Sequence, residues 1–481
     1  MHGVVAADLA SLQRWLAPAR GLNVAGSRQP HVVVMLPSFN LAPRLLAHYS
    51  ARIPALEHRY LLDVLMLSRV PGAEAVFITS QAPAPEVLEY YFALVPEPVR
   101  AEVARRLTML EVQQRGDAPV AAKLLSREDL LAQVRDHIGS RRAFIEPWTV
   151  CGEEAAVALA LQVPIRGTAP DLRRLGFKSN GRRLFHQAGV PVAPGVEDLH
   201  SPFDVLAAVT AMKTWSPGAL GAVLKLDDGV AGDGNVVIRF DENIEEALER
   251  MPQRYVAELA DGGVVEELIT GASFRSPSVL LELEPDGRVV VLATHEQVLG
   301  GQNGQVFVGC RFPSDIAYAG QLARYGSAIG RALIRRGALG RVSVDFAAIR
   351  DRTDRWSLYA LEMNLRKGGT SHPYSALRNL VPGSYDPVAG QWFGEDGRSY
   401  FYECSDNLLD PTWKGMSTSS AVAALDTAGL AFDPKARTGV VLHMLPGLAT
   451  DGRVGAVAIE KHPTAAHERL CAVTEALTTA A

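Results

Sequence analysis

Lys225 stands in the apolar run AVLKLDDGVAGDGNVVI (222–238), where a buried ammonium is costly unless an anion pairs with it. The residues that follow include Gly229, Gly232 and Gly234, a turn whose missing Cβ atoms let backbone N–H groups approach phosphate oxygens. An ordinary hairpin with a snorkelling lysine fits the same residues. The turn is not a GxGxxG fingerprint, and GxxxxGK[ST] occurs nowhere in the chain. Further along, 343–349 (SVDFAAI) and 357–365 (SLYALEMNL) read as neighbouring strands. Alternation puts Glu362 and Asn364 on one face, with Asp345 in reach from the next strand. Three oxygen donors so placed suit Mg²⁺, which takes carboxylates, phosphates and water; a solvated sheet face is the alternative. Leu358 and Ala360 share the parity of Glu362, so that face is expected to turn polar only at its end.

Arg366 follows at once in RKGGTSHP (366–373), where a guanidinium would steady a transferring phosphoryl group. Gly368 and Gly369 would present N–H donors to an oxyanion. Glu266 and Glu267 end the apolar strand of VVEELITG (264–271), which is also what an ordinary strand edge looks like. Lys178 lies just before a helix expected over 179–188, and a helix N-terminus beside a lysine is an anion site.

These groups need a scaffold, and at 481 residues the chain exceeds the roughly 100–200 residues of one domain. With 48% hydrophobic and 21% charged residues it has globular composition. A net charge of −5 and the lack of a basic block argue against a nucleic-acid partner. Phosphate-bearing small molecules must then be held by local sites. The four cysteines, Cys151, Cys310, Cys404 and Cys471, form no CxxC pair and have no His-rich neighbour, which points away from disulfides and zinc and towards a reducing compartment. No apolar run reaches the ~18 residues of a membrane span. Asp8, Arg14 and Arg20 stand where a signal peptide needs an apolar core, so a cytoplasmic location is expected.

Strand-like runs at 31–36, 61–67, 73–79 and 143–150 alternate with helical patterns, among them 126–138 behind a Ser-x-x-Asp capping box at Ser126. Helix 153–161 and a strand at 163–166 complete a first unit, expected to be a parallel, helix-covered sheet. From 222 to 365 strands dominate, at 222–226, 235–240, 264–269, 278–284, 288–299, 305–310, 343–349 and 357–365. One helix interrupts them at 317–336, with Leu322, Tyr325, Ile329 and Leu333 on one stripe. This reads as an α+β unit of antiparallel sheets. After 381 the chain is turn-rich, then regains a strand at 439–445 and a helix at 463–478. Three domains follow: 1–167, 168–380 and 381–481.

Taken in order, the motifs resemble an ATP-grasp ligase: Lys178 before RRLFHQAGVPV, Lys225 with GVAGDG, the hinge VEELITG, and Asp345 ahead of Glu-x-Asn-x-Arg at 362–366. The flanks IEPWTVCGEEAAVALALQVPIRGT (145–168), MLPSFN (35–40) and TGVVLHMLPGL with GRVGAVAIE (438–460) look like the pheganomycin-type peptide ligases. That likeness implies an α/β pre-ATP-grasp domain, a two-lobed ATP-grasp core and a small C-terminal α+β domain. It implies that Lys178 and Lys225 contact ATP phosphates under the flap 229–234. Backbone at Glu266 and Leu268, near Glu267 and Ile269, would hold adenine. Asp345, Glu362 and Asn364 would bind Mg²⁺, and Arg366 would steady the phosphoryl group and the tetrahedral intermediate. Where many members place a ribose-binding carboxylate, this chain has Ala272-Ser273-Phe274, leaving Ser273 as the polar candidate. Arg311, Arg275 and His372 are candidate substrate or phosphate contacts. The implied reaction joins an unusual amino acid's carboxylate to the amine of a peptide or amino acid through an acyl phosphate, releasing ADP and phosphate, in antibiotic biosynthesis. An ATP-grasp kinase or a non-catalytic ATP-binding protein are the other readings, and a homodimer is expected from the wider family.

Overall fold

The apolar run His31–Leu36 is buried along its whole length and lies at the centre of a parallel sheet. We describe a computed structural model, which covers residues 9–41, 43–113, 118–229, 235–249, 251–300 and 306–481. Strands β1 (His31–Leu36), β2 (Ala73–Thr79), β3 (Leu107–Glu111) and β4 (Arg142–Pro147) run in the order β3-β2-β1-β4, all parallel. This is the helix-covered sheet that alternation predicts, with differences that have physical causes. β3 went unseen in the sequence because only Leu110 of its five residues is buried. The run 61–67 is not a strand: Leu61–Val64 is α-helical and Leu65–Ser68 a 3₁₀ turn. Leu61, Leu62, Val64, Leu65, Met66 and Leu67 are all buried, and apolar residues on every face erase the 3.6 period that would mark a helix. At 163–166 there is a single bridge, Ile145 to Ile165, rather than a strand. Ser126 does not cap the helix Glu128–Ile138, whose N-cap is Arg127; its hydroxyl donates to the Lys123 carbonyl at the end of the preceding helix.

A small antiparallel sheet follows, β5 (Gly195–Val196), β6 (Gly221–Leu226), β7 (Val236–Arg239) and β8 (Gly263–Glu267), ordered β5-β8-β6-β7. The helix Pro202–Trp215 covers it through Val205, Val209 and Met212. The rest of the chain builds one large sheet. Its strands are β9 (Ser273–Arg275), β10 (Pro277–Leu283), β11 (Val289–Gly300), β12 (Val306–Phe312), β13 (Gly340–Arg350) and β14 (Trp356–Asn364). They continue as β15 (Gly383–Asp386), β16 (Gln391–Gly394), β17 (Ser399–Leu409), β18 (Gly439–His443) and β19 (Arg453–Glu460). The order is β14-β13-β10-β11-β12-β17-β16-β15, with β9 on β13 and β19 joining β17 to β18. The segment read as turn-rich therefore holds β15, β16 and β17 and the helix Thr418–Thr427. β12 pairs with β17, so one sheet joins residues on either side of 381.

The helix Ile316–Ile334 packs onto β10 and β11, with Leu322, Ile329 and Leu333 in the core beneath it. Gly326 and Gly330 allow that approach, since a Cβ there would fall 2.8 and 2.6 Å from Val279 and Val289. These two lobes leave a cleft between β6–β8 and β13–β14.

Candidate active site

A β-bulge aims the carboxylates. β13 and β14 pair Asp345 with Glu362 and Phe346 with Ala360, so Leu361 has no partner of its own. Leu358 and Ala360 consequently face the apolar core with Phe346, whereas Glu362 and Asn364 face the cleft beside Asp345 and Ser343. The shared parity expected for Leu358, Ala360 and Glu362 is thus broken by one inserted residue, a device bulges commonly serve beside active sites.

Glu362 and Asp345 are close enough to hydrogen-bond through a shared proton. Burial and the neighbouring Glu362 charge push the Asp345 carboxyl well above its ordinary value. Gln297 Nε2 donates to its Oδ1 at 2.8 Å. Burial also acts upward on Glu362, but Lys178, Lys225 and Arg366 outweigh it and hold the carboxylate below its usual range. Two carboxylates pressed together with an amide oxygen one register step away form a hard-donor set that fits a small divalent cation.

Lys225, buried on β6, does find its anion, and it is Glu266: Nζ donates to Oε2 across the sheet. Arg182 takes the other oxygen at 2.7 Å, and uses its remaining nitrogens on Glu197 at 2.7 Å and the Ala193 carbonyl at 2.8 Å. Lys178 sits in the first turn of the helix Lys178–Gln187 rather than ahead of it. Its ammonium donates to the Gly229 carbonyl at 3.0 Å and lies 3.5 Å from Glu362. Asp227 fixes that helix end, accepting from both the N–H and hydroxyl of Ser179 at 2.8 Å. Arg366 lies over the Trp148 ring, 5.0 Å from its centroid. The next residue, Lys367, anchors the loop to the helix Leu61–Val64 through Asp63 at 2.6 Å and to β4 through Glu146 at 2.9 Å.

Two cavities meet at this seam. One, about 610 Å³, is bounded by Lys225, the hinge 266–271, Phe307, Asp345 and Gly368. The other, about 720 Å³, is bounded by Trp148, Arg173, Arg174, Lys178, Asp227 and Gly229. Glu362, Asn364 and Arg366 line both.

The structure thus gathers Lys178, Lys225, Gly229, Glu266, Glu267, Leu268, Ile269, Asp345, Glu362, Asn364, Arg366 and Gly368 around one cleft. Gly232 and Gly234 lie outside the described residues. Ser273 lines neither cavity; it pairs with Arg350 at the edge of β13, while Phe274 and Ser276 reach the cavity wall. Arg311 is turned away to Glu403 at 3.0 Å, and Arg275 is exposed. His372 is fully buried and points to Asp406 instead of the cleft. The Gly368 N–H donates to Ser371 Oγ at 3.1 Å, and the Leu268 N–H to the Gly221 carbonyl at 2.9 Å. Arg182, Gln297, Trp148 and Asp227 contribute to the site without having stood out as its residues; Arg182 lies within RRLF, four residues after Lys178, but a lone arginine at helical spacing carries no signature.

Residues 252–376, which include β8 to β14, match the family described as IQCH-like, ATP-grasp, and residues 420–470 match the PGM1 C-terminal domain. Over 456 residues the chain is 32% identical to L-propargylglycine–L-glutamate ligase of Streptantibioticus cattleyicolor, covering 90% of this chain and 91% of that one. The chain belongs to the ATP-grasp ligases. As an ATP-grasp ligase it is an ATP-dependent enzyme joining a carboxylate to an amine through a carbon–nitrogen bond. The fold of this ligase is shared with the biotin carboxylase–β,γ-ATP complex of Campylobacter jejuni, at a TM-score of 0.58 over 94% of each chain and 12% identity. It is shared too with N5-carboxyaminoimidazole ribonucleotide synthetase of Thermus thermophilus, at 0.53 over 92% of this chain and 98% of that one, with 14% identity. Among the described residues of the ligase, no helix is long and apolar enough to cross a membrane.

Proposed function

We propose that the 610 Å³ cavity takes ATP and the 720 Å³ cavity takes the two substrates, a small amino-acid carboxylate and the amine of a second amino acid or peptide. The observation that carries this is the shared wall: Glu362, Asn364 and Arg366 face both spaces, as a group passed from one ligand to another requires. Adenine lies against the hinge, where Ile269 is the next backbone donor because the Leu268 N–H is already committed. Lys225 and Lys178 reach the phosphates, and Gly368 sits beside the reacting groups. Asp345, Glu362 and Asn364 hold Mg²⁺, which supplies charge neutralisation at the phosphoryl oxygens.

A carboxylate is a poor acyl donor because oxide would have to leave. Its oxygen attacks the γ-phosphorus and ADP departs, leaving an acyl phosphate. The amine then attacks the acyl carbon, phosphate departs and the nitrogen gives up a proton. Arg366 lies where negative charge gathers in both stages, and Trp148 beneath it keeps water from one side. The relative named above joins propargylglycine to glutamate; for this chain we infer a related amino-acid or peptide coupling within natural-product biosynthesis, in the cytoplasm.

Amine-dependent release of ADP and phosphate is the expected outcome, with one ADP per bond formed. Hydroxylamine in place of the amine should give a hydroxamate of the carboxylate substrate, detected by mass spectrometry with mixed amino acids and short peptides. Pyrophosphate and AMP as products would overturn the reading. So would a phosphorylated alcohol with no hydroxamate.

A further inference from the structure

His372, Cys404, Asp406 and His443 come from three separate elements and converge away from the cleft. Cys404 and Asp406 are two apart on β17, His443 ends β18, and His372 lies in the first turn of the helix Ser371–Leu380. Each offers one donor atom, and all four donors lie within 4.8 Å of one another. Asp406 Oδ1 is 2.8 Å from His372 Nε2, 3.5 Å from His443 Nε2 and 3.8 Å from Cys404 Sγ. The Cys404 sulfur is 3.9 and 4.0 Å from the two imidazole nitrogens. Zinc bonded at about 2.0–2.3 Å to N, O and S in a tetrahedron sets donor–donor edges of about 3.3–3.6 Å. The edges to Asp406 and Cys404 bracket that range: the His372–Asp406 edge must lengthen and the three sulfur edges must shorten by a few tenths of an ångström.

Hydrogen bonding alone accounts poorly for the cluster. Two imidazoles and a thiol converge on one carboxylate oxygen, yet only His372 reaches it at a good distance. His443 and His372 are completely buried and Cys404 is 2% exposed, so weakly paired polar groups here are expensive. A cation would satisfy the two Nε2 atoms, the thiolate and Oδ1 together, while the two Nδ1 atoms stay without a hydrogen-bond partner.

The surroundings are built to hold this arrangement. The second oxygen of Asp406 accepts from Arg59 at 2.6 Å, which orients the carboxylate and leaves Oδ1 to the cluster. Opposite His443 in register stands Gly455, where an added Cβ would fall 2.0 Å from the imidazole Cε1. The strand thus keeps open the space that the ring fills. Spacing alone could not show this, because the donors lie up to 71 residues apart in the chain, from His372 to His443.

We propose that His372, Cys404, Asp406 and His443 bind a structural zinc ion. Four protein ligands close the coordination shell, which marks a structural rather than a catalytic site. On binding, the Cys404 thiol loses its proton to solvent and the thiolate bonds the metal. The ion ties the start of the helix Ser371–Leu380 to β17 and β18, and so steadies the loop that carries Arg366 six residues before His372. This assignment is independent of which substrates the cleft takes.

Elemental analysis of the untagged, gel-filtered full chain should find about one zinc per chain. Zinc-edge absorption should show one sulfur and three lighter donors, and protein prepared with cobalt should show thiolate charge-transfer absorption. Cys404→Ser and His443→Gln should each lose the zinc and melt at lower temperature. Wild-type protein that holds no zinc as purified and takes up none when zinc is supplied would overturn the proposal. An intact mass two hydrogens light from a Cys310–Cys404 disulfide would overturn it equally. Both readouts use the wild-type chain, so a variant that fails to fold does not spare the proposal.

Discussion

Replacing Glu362 with glutamine is expected to lower kcat by about 10³-fold or more while leaving the fold intact, because one carboxylate serves both cavities. Three cations, Lys178, Lys225 and Arg366, hold Glu362 ionised at the partly covered cleft wall. The amide keeps the shape and removes the charge. Without that charge Asp345, itself pushed up by burial and by Glu362, is left as the remaining carboxylate of the set with Asn364. A single carboxylate binds Mg²⁺ weakly, since the ion gives up its water reluctantly. Thermal denaturation gives a readout separate from turnover. MgADP should raise the wild-type Tm clearly beyond ADP alone, and that difference should vanish in Glu362→Gln. The Glu362 side chain is 27% exposed at the cleft, so the unliganded Tm should move little. A fully active Glu362→Gln enzyme would remove the metal assignment.

Much of this site is legible in the sequence because its motifs are local. Asp345 and the Glu-x-Asn-x-Arg run lie on strands whose apolar alternation is plain, and the hinge follows β8 directly. Strands β10 to β14 and the helix Ile316–Ile334 fall near their expected bounds for the same reason, whereas β9 is not among the expected strands. What stays hidden depends on partners far along the chain. Leu361 looks like any strand residue until pairing with β13 leaves it over, and only then does Glu362 change face. Six of the eight residues of Leu61–Ser68 are buried, so its helix has no polar stripe to announce it. The cysteines look scattered because β17, β18 and a helix bring donors together only in the folded chain.

Arg182 is the group whose loss should damage stability most. The residue is 1% exposed, and its guanidinium joins Glu266, Glu197 and the Ala193 carbonyl, holding the helix Lys178–Gln187 to β8 and to the residues flanking β5. Arg182→Met keeps much of the apolar stem and removes all three hydrogen bonds. Glu266 would then lie buried with Lys225 as its remaining charge partner. Breaking a buried pair from one side costs about 3–5 kcal/mol. For a domain of this size that corresponds to a Tm lower by about 10 °C. Arg182→Lys should recover only part of the loss, because one ammonium does not reproduce the fork. Burial pushes the Glu266 carboxyl up, but Lys225 and Arg182 outweigh it and hold the folded value below the ordinary one. Its contribution is therefore full above the ordinary glutamate range and fades as pH falls through the folded value. The gap between wild type and Arg182→Met, followed by calorimetry, should narrow on acidification. A gap that widens, or a variant as stable as wild type at neutral pH, would mean that Glu266 does not depend on Arg182. In that event Lys225 alone would hold it, and the helix bearing Lys178 would be anchored chiefly through Asp227.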